Sequence, residues 1–198
     1  DKMIYEFYGR LSGSSSGLTG SQELSFAEKN FHSGTILSGM FGISLGTSYA
    51  QKYLSKRGIT FTIIGDGGME EGICYETLNL ASLHSIPIIF ICENNKFSVH
   101  TRITERTKTS NFEKKINSFG VKYVKLDTNN VLDIYKKMKK IVSDVRKHQK
   151  PIFIEYDTMR YCAHNGPEDE DAKFNYRPKD LNFWKKKDPD LFFQKKIN

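Results

Sequence analysis

The stretch from Thr60 to Phe97 most narrows what this chain can fold into. It opens with an apolar, β-rich run, Thr60-Phe61-Thr62-Ile63-Ile64, and breaks into Gly65-Asp66-Gly67-Gly68. A helical segment follows. A second apolar run, Pro87-Ile88-Ile89-Phe90-Ile91-Cys92, then ends on Glu93-Asn94-Asn95. Two apolar runs joined by a helix predict neighbouring parallel strands, each covered on both faces. Asp66 leaves the first strand and Asn94-Asn95 leave the second, so all three reach one sheet edge. Open α/β sheets bind ligands at the carboxyl ends of their strands. A carboxylate and an amide oxygen together there suit a hard cation such as Mg²⁺. Glycines beside them let backbone N–H groups approach an anion with no Cβ in the way.

The flanking sequence repeats the same alternation. Residues 1–10 predict the end of a helix, and Leu11 to Gly20 a Gly/Ser-rich loop that is either a linker or a loop lying on a site. Thr35 to Leu54 predicts a helix in which Gly39, Gly42 and Gly46 leave one face small. Each such glycine costs roughly 1 kcal/mol relative to Ala, so a packing or ligand reason is expected. Glu70 to Leu83 predicts the helix between the two strands, and Asn94 to Asn111 a long polar loop. A short helix to Phe119, a strand over Val121–Leu126 and a helix with the stripe Val131, Ile134, Tyr135, Met138, Ile141, Val142 and Val145 come next. Pro151–Thr158 predicts a further strand, Arg160 to Arg177 a second polar loop, and Asp180–Lys187 and Asp190–Lys196 short terminal helices. Strands alternating with helices give an α/β fold with a doubly wound, mostly parallel sheet. One domain is expected over 1–198, with 179–198 as a helical extension. The chain opens on Asp1 rather than Met, so an upstream segment is expected to be missing.

Composition removes other classes. The net charge is +7, but the lysines gather on helical segments such as 135–140 and 184–187, where they read as solvated faces. No basic stripe interleaved with aromatics points to nucleic acid. The longest apolar run is far too short to span a bilayer, and no signal peptide opens the chain. Cys74, Cys92 and Cys162 have no metal-site spacing, and a reducing cytoplasm is the simplest compartment.

The glycine turn is not a dinucleotide fingerprint, because Glu70 stands where the third glycine belongs. Nor is it a Walker phosphate loop, because no Gly-Lys-Ser/Thr follows. Joined to Asn94-Asn95 at about 30 positions, the length of one strand–helix–strand unit, it becomes specific. Taken singly, Asp66 reads as a turn residue, Asn95 as a cap and His164 as a solvated histidine. As a pair in this setting, Asp66 and Asn95 read as ligands. Glu70-Glu71 read as acids favoured at a helix N-terminus, and Arg160 reads equally as a loop anchor or a site residue.

Gly65-Asp66-Gly67 through Asn94-Asn95 resembles the thiamine diphosphate motif. Asn79-Leu80-Ala81, then Ile89 to Asn95, resembles more closely the α subunits of 2-oxo-acid dehydrogenases of the pyruvate, acetoin and branched-chain type. The likeness also takes in Lys29-Asn30-Phe31, Met159-Arg160-Tyr161 with His164, and Tyr176-Arg177, so it covers nearly the whole chain.

The resemblance implies a transketolase-like, thiamine diphosphate-binding fold. It implies Mg²⁺ held by the Asp66 carboxylate, the Asn95 side-chain oxygen and the Phe97 main-chain carbonyl, where the side chain is free to vary. Two diphosphate oxygens and a water would complete an octahedron. The N–H groups of the Gly65-Asp66-Gly67-Gly68 turn, chiefly those of Gly67 and Gly68, would hold the diphosphate. The main chain at Ile36, Leu37 and Ser38 would meet the aminopyrimidine, and His164 would act on the diphosphate side of the active site. The activating glutamate of such enzymes belongs to a β subunit. The resemblance therefore also implies a partner chain, an α2β2 heterotetramer, a 2-oxo acid substrate and a lipoyl acyltransferase as acceptor. Two departures stand out. The upstream Tyr-Arg pair of the family has no counterpart here. The loop after the last strand reads His164-Asn165-Gly166-Pro167-Glu168-Asp169-Glu170-Asp171, without the family's phosphorylatable serine. That loop resembles a subgroup from bacterial surface-sugar pathways, in which a sugar carbonyl accepts the acyl unit. A non-catalytic, cofactor-binding assembly subunit is the third reading.

Overall fold

Runs of Ile, Val and Phe favour a pleated strand that packs on both sides, and four such runs assemble into one sheet. The computed structural model describes residues 1–165 and 181–197. Its elements in chain order are α1 (Lys2–Phe7), β1 (Ser25–Phe26), β2 (Phe31–His32), α2 (Gly39–Tyr53), β3 (Thr60–Gly65), α3 (Gly72–Leu83) and β4 (Ile88–Asn94). Then come β5 (Phe97–Ser98), β6 (Thr101–Arg102), α4 (Ile103–Arg106), α5 (Phe112–Asn117), β7 (Lys122–Leu126), α6 (Val131–His148) and β8 (Ile152–Asp157). The last two helices are α7 (Leu181–Lys186) and α8 (Pro189–Ile197). The main sheet has the order β3-β4-β8-β7, and every pair in it is parallel. Register pairs Gly65 with Glu93 and Asn94 with Asp157. Asp66, one residue beyond β3, therefore comes level with Asn94 at the carboxyl edge.

Alternate residues of β4 serve two cores. Ile88, Phe90 and Cys92 face Phe41 and Leu45 of α2, Cys74, Leu78 and Ala81 of α3, and Ile116 of α5. Ile89 faces the other way, with Ile152 and Ile154, against Ile141 and Val145 of α6. The predicted α6 stripe is thus the packing face at its C-terminal half. At the N-terminal half, Val131 and Tyr135 are exposed.

Three expectations need correction. β4 is covered on both faces, but β3 is not: it lies at the sheet edge, and Phe61 and Ile63 are 45% and 60% exposed. The predicted 70–83 helix begins later, because Gly68–Glu70 form a separate 3-10 turn and Glu71 is extended before α3. The 94–111 loop contains the β5–β6 hairpin and α4, whose Ile103 is buried. These pieces are too short to show a period. The hairpin of β1 and β2 was unforeseen for the same reason.

The Gly/Ser segment is not a linker. Glu6, fully buried, accepts hydrogen bonds from the N–H groups of Ser15 (2.7 Å), Gly17 (3.0 Å) and Thr19 (2.9 Å) and from Thr19 Oγ1 (2.9 Å). Gly17 sits at φ +74°, and a Cβ there would strike the Gly9 carbonyl, so the wrap requires glycine. All three cysteines are free thiols; Cys74 and Cys92 are buried. Among the described residues no helix is long and apolar enough to cross a membrane. The acidic run Glu168–Asp171 and the pair Tyr176-Arg177 lie outside the described residues.

Candidate functional site

β3 ends in a turn that a side chain would block. A Cβ on Gly67 would come within 2.6 Å of Ser98 Oγ and 2.7 Å of Ser98 Cβ. Glycine at 67 therefore lets the β5–β6 hairpin close over the turn. Gly68, the first residue of the 3-10 turn, is buried; its carbonyl accepts from Ser38 Oγ at 2.6 Å and from Cys74 Sγ at 3.3 Å. Ser38, which precedes α2 with φ 64°, is thereby tied to the glycine turn. Its neighbours Ile36 and Leu37 are 74% and 55% exposed on the same rim.

Asp66 is the most unusual group at this edge. It is 1% exposed. Its Oδ2 accepts from Arg106 Nη2 at 2.6 Å, while Oδ1 is buried with no hydrogen-bond partner. Burial pushes the carboxyl pKa up; the Arg106 hydrogen bond and charge pull against that rise, with smaller help from the backbone N–H groups of Asp66 and Asn95, neither of which makes a hydrogen bond of good geometry to Oδ1. A buried carboxylate oxygen without a donor is costly unless a cation meets it. Asn95 Oδ1 accepts from the Phe97 N–H at 2.8 Å. A carbonyl oxygen has a second lone pair, so this bond fixes the amide and leaves it able to face a cation. Among the described residues no cluster of three or more His, Cys, Asp and Glu could hold a metal. The available donors are one carboxylate, one amide and a main-chain carbonyl, an all-oxygen set suited to Mg²⁺ rather than to a soft ion. The chemistry of these donors thus fits a hard cation.

A buried polar network braces the strand that ends just before Asn95. Glu155 of β8 is 4% exposed. It accepts from Asn94 Nδ2 (2.8 Å), Tyr123 Oη (2.6 Å) and Lys125 Nζ (3.2 Å). Asn94 Oδ1 in turn accepts from the Lys96 N–H at 3.1 Å, at the start of the turn toward Phe97. Burial and the hydrogen bond to Glu155 push the Tyr123 hydroxyl well above the usual tyrosine range. Burial raises the pKa of Asp157, but ion pairs to Lys125 (2.9 Å) and Lys96 (3.1 Å) more than offset this and leave it lowered.

His164 stands in the loop after β8, exposed, with Nδ1 3.3 Å from Arg160 Nη1. Arg160 Nη2 donates to the Val99 carbonyl at 2.8 Å. The histidine loop is therefore fastened to the β5–β6 turn, beside the residues from Asn95 to Phe97. The Arg160 bonds to the carbonyls of Val99 and Cys162 are those of a loop anchor.

Two residues that no local sequence pattern marks join the site. Arg106 ends α4, a helix of one turn that is too short to show a period, and its partners Glu70 and Asp66 lie 36 and 40 positions away, so no local signal marks it. Glu70 is more than a helix-start acid: its Oε1 meets Arg106 Nη1 at 2.6 Å.

Comparison with known proteins gives the family. The family model described as "Dehydrogenase E1 component" matches residues 1–198. The pyruvate dehydrogenase E1 component subunit alpha of Rickettsia felis is 32% identical over 196 residues, 98% of this chain and 59% of that protein. The mitochondrial counterpart of Schizosaccharomyces pombe is 34% identical, covering 82% of this chain and 39% of that one. The mitochondrial 2-oxoisovalerate dehydrogenase subunit alpha 1 of Arabidopsis thaliana is 32% identical, covering 71% and 29%. This chain thus spans less than two thirds of the length of these relatives. Among solved structures, transketolase from Campylobacter jejuni matches with a TM-score of 0.51 at 24% identity, over 65% of this chain and 21% of that one. That likeness shows the fold alone.

Proposed function

The chain belongs to the dehydrogenase E1 component family, the α subunits of thiamine diphosphate-dependent 2-oxo-acid dehydrogenases, and we propose that it holds the magnesium diphosphate half of a decarboxylating active site. The observation that carries this reading is the buried, partnerless Oδ1 of Asp66 at the same strand-end edge as Asn95. In this reading Asp66 Oδ1, Asn95 Oδ1 and the Phe97 carbonyl hold Mg²⁺. The N–H groups of Gly67 and Gly68, with the start of the following helix, hold the diphosphate. Gly65 brings the turn off the strand, Ile36, Leu37 and Ser38 line the aminopyrimidine side, and His164 faces the diphosphate side. The cofactor, when bound, supplies the electron sink that lets a 2-oxo acid lose CO₂.

The substrate is a pyruvate-like 2-oxo acid, and the acyl unit passes to a lipoyl group. The names of the curated relatives support this class of reaction. A second reading, transfer to a sugar carbonyl, is favoured by the His164-Asn165-Gly166-Pro167 loop and its acidic continuation. Acylation of a lipoyl domain, set against consumption of a keto-sugar, separates the two. The partner is a β subunit that contributes the activating glutamate. The exposure of Ile36 and Leu37 on the rim supports a site that another chain completes.

Calorimetry with thiamine diphosphate and Mg²⁺ tests the cofactor reading, on the protein with any subunit that co-purifies. Asp66→Ala is expected to abolish the binding heat seen with the parent. Equal binding by both would defeat the reading.

A further inference from the structure

All three kinds of nitrogen in the Arg106 guanidinium are engaged. Nε donates to the Thr101 carbonyl at 3.1 Å, Nη1 to Glu70 Oε1 at 2.6 Å and Nη2 to Asp66 Oδ2 at 2.6 Å. The side chain is 11% exposed. It spans the β5–β6 hairpin, the 3-10 turn after the glycines and the end of β3. Its own short helix is fixed at its N-terminal end. Ile103 is buried in the core, and the Glu105 carboxylate reaches back to accept the Arg102 N–H at 2.9 Å. The guanidinium is therefore a rigid fork.

The fork takes only one oxygen of Asp66. An arginine that simply neutralised this carboxylate would bind both oxygens side by side, the favoured geometry of such pairs. Here Glu70 takes the other arm, and Oδ1 of Asp66 is left buried and unpartnered. We propose that Arg106 is the positioning residue of the metal site. Held by Glu70 and Thr101, it clamps Oδ2 and so turns Oδ1 toward the cation. This rests on the cofactor reading above. Groups that orient metal ligands in this way typically contribute about 10–100-fold in metal affinity. The competing idea is that Arg106 stands in the metal's place as a substitute cation. It predicts the opposite sign, because removing a competitor tightens metal binding.

Mn²⁺ titration in the presence of thiamine diphosphate, followed by electron paramagnetic resonance on the protein with its co-purified subunit, tests the proposal. Arg106→Gln is expected to weaken Mn²⁺ binding about 10–100-fold. Arg106→Lys keeps the charge and loses the fork, and is expected to fall between Arg106→Gln and the parent. Glu70→Gln, which frees the second arm, is expected to shift affinity in the same direction by less. The fine structure of the bound Mn²⁺ signal should change at saturation in Arg106→Lys, a readout that a merely structural role would leave alone. Melting curves accompany each variant, and if Arg106→Gln does not fold, Arg106→Lys and Glu70→Gln decide. Affinity and spectrum unchanged in the folded variants, or tighter binding, would overturn the proposal. Asp66→Ala separates the two levels: if it leaves Mn²⁺ binding intact, the cofactor reading fails and the proposal with it.

Discussion

At Gly67 the whole site depends on one missing methyl group. Gly67→Ala puts a Cβ against Ser98, including its Cβ at 2.7 Å, which no rotamer change relieves. Forced overpacking of this kind costs about 1–3 kcal/mol, so the variant should melt lower. The second change Ser98→Gly should restore most of the loss. If Gly67→Ala melts with the parent, the hairpin does not close over the turn as described. Asp66 and Asn95 were legible in the sequence because each directly follows an apolar run, and register does the rest. Arg106 was not legible. Its partners, Asp66 and Glu70, precede it by a strand and a helix, and a lone arginine at the end of a one-turn helix carries no period. Glu70 was read from its position near a helix start, a local cue, whereas its role comes from a remote guanidinium.

Elements are braced by carboxylates that the sequence does not mark as internal. Glu6 looks like the polar face of a terminal helix, yet the 11–20 segment closes around it. The Thr19 N–H, together with those of Ser15 and Gly17, outweighs burial and lowers its pKa to about 2. A depressed carboxylate stabilises the fold fully above the ordinary glutamate pKa and loses that effect as pH falls through the depressed value. The amide resonances of Ser15, Gly17 and Thr19 should therefore hold steady down to the ordinary range and shift together as pH approaches 2. In Glu6→Gln this titration should vanish. A midpoint near an ordinary glutamate value would contradict the clasp. Glu155 plays the matching part inside the sheet. Tyr123→Phe removes a hydrogen bond to a buried charge, worth about 1.5–3 kcal/mol. Chemical denaturation should show a loss of that order, and no loss would mean that the network does not brace β4. The strands were legible from their apolar runs. The two hairpins were not, because two-residue strands have no alternation to read.

For the whole molecule, the parallel sheet followed from alternating strands and helices, while its bare flank did not. The β3 run carries Thr60 and Thr62 where β4 reads Ile88-Ile89-Phe90-Ile91-Cys92 without a break, a difference too slight to mark β3 as the sheet edge. The sheet edge gathers Asp66, Asn95, the glycine turn and, through Arg160, the His164 loop. In the proposed function a partner subunit supplies the activating glutamate. Purified chain mixed with pyruvate, Mg²⁺ and thiamine diphosphate is expected to release no CO₂ until a partner subunit is added. Turnover by the chain alone would contradict a shared site.

The most direct test of the cofactor site is anomalous scattering from Mn²⁺ in crystals grown with thiamine diphosphate. One peak is expected within coordinating distance of Asp66 Oδ1, Asn95 Oδ1 and the Phe97 carbonyl, with the diphosphate against Gly67 and Gly68. A diphosphate bound with its metal elsewhere, or a metal at this edge without Asp66 among its ligands, would contradict it.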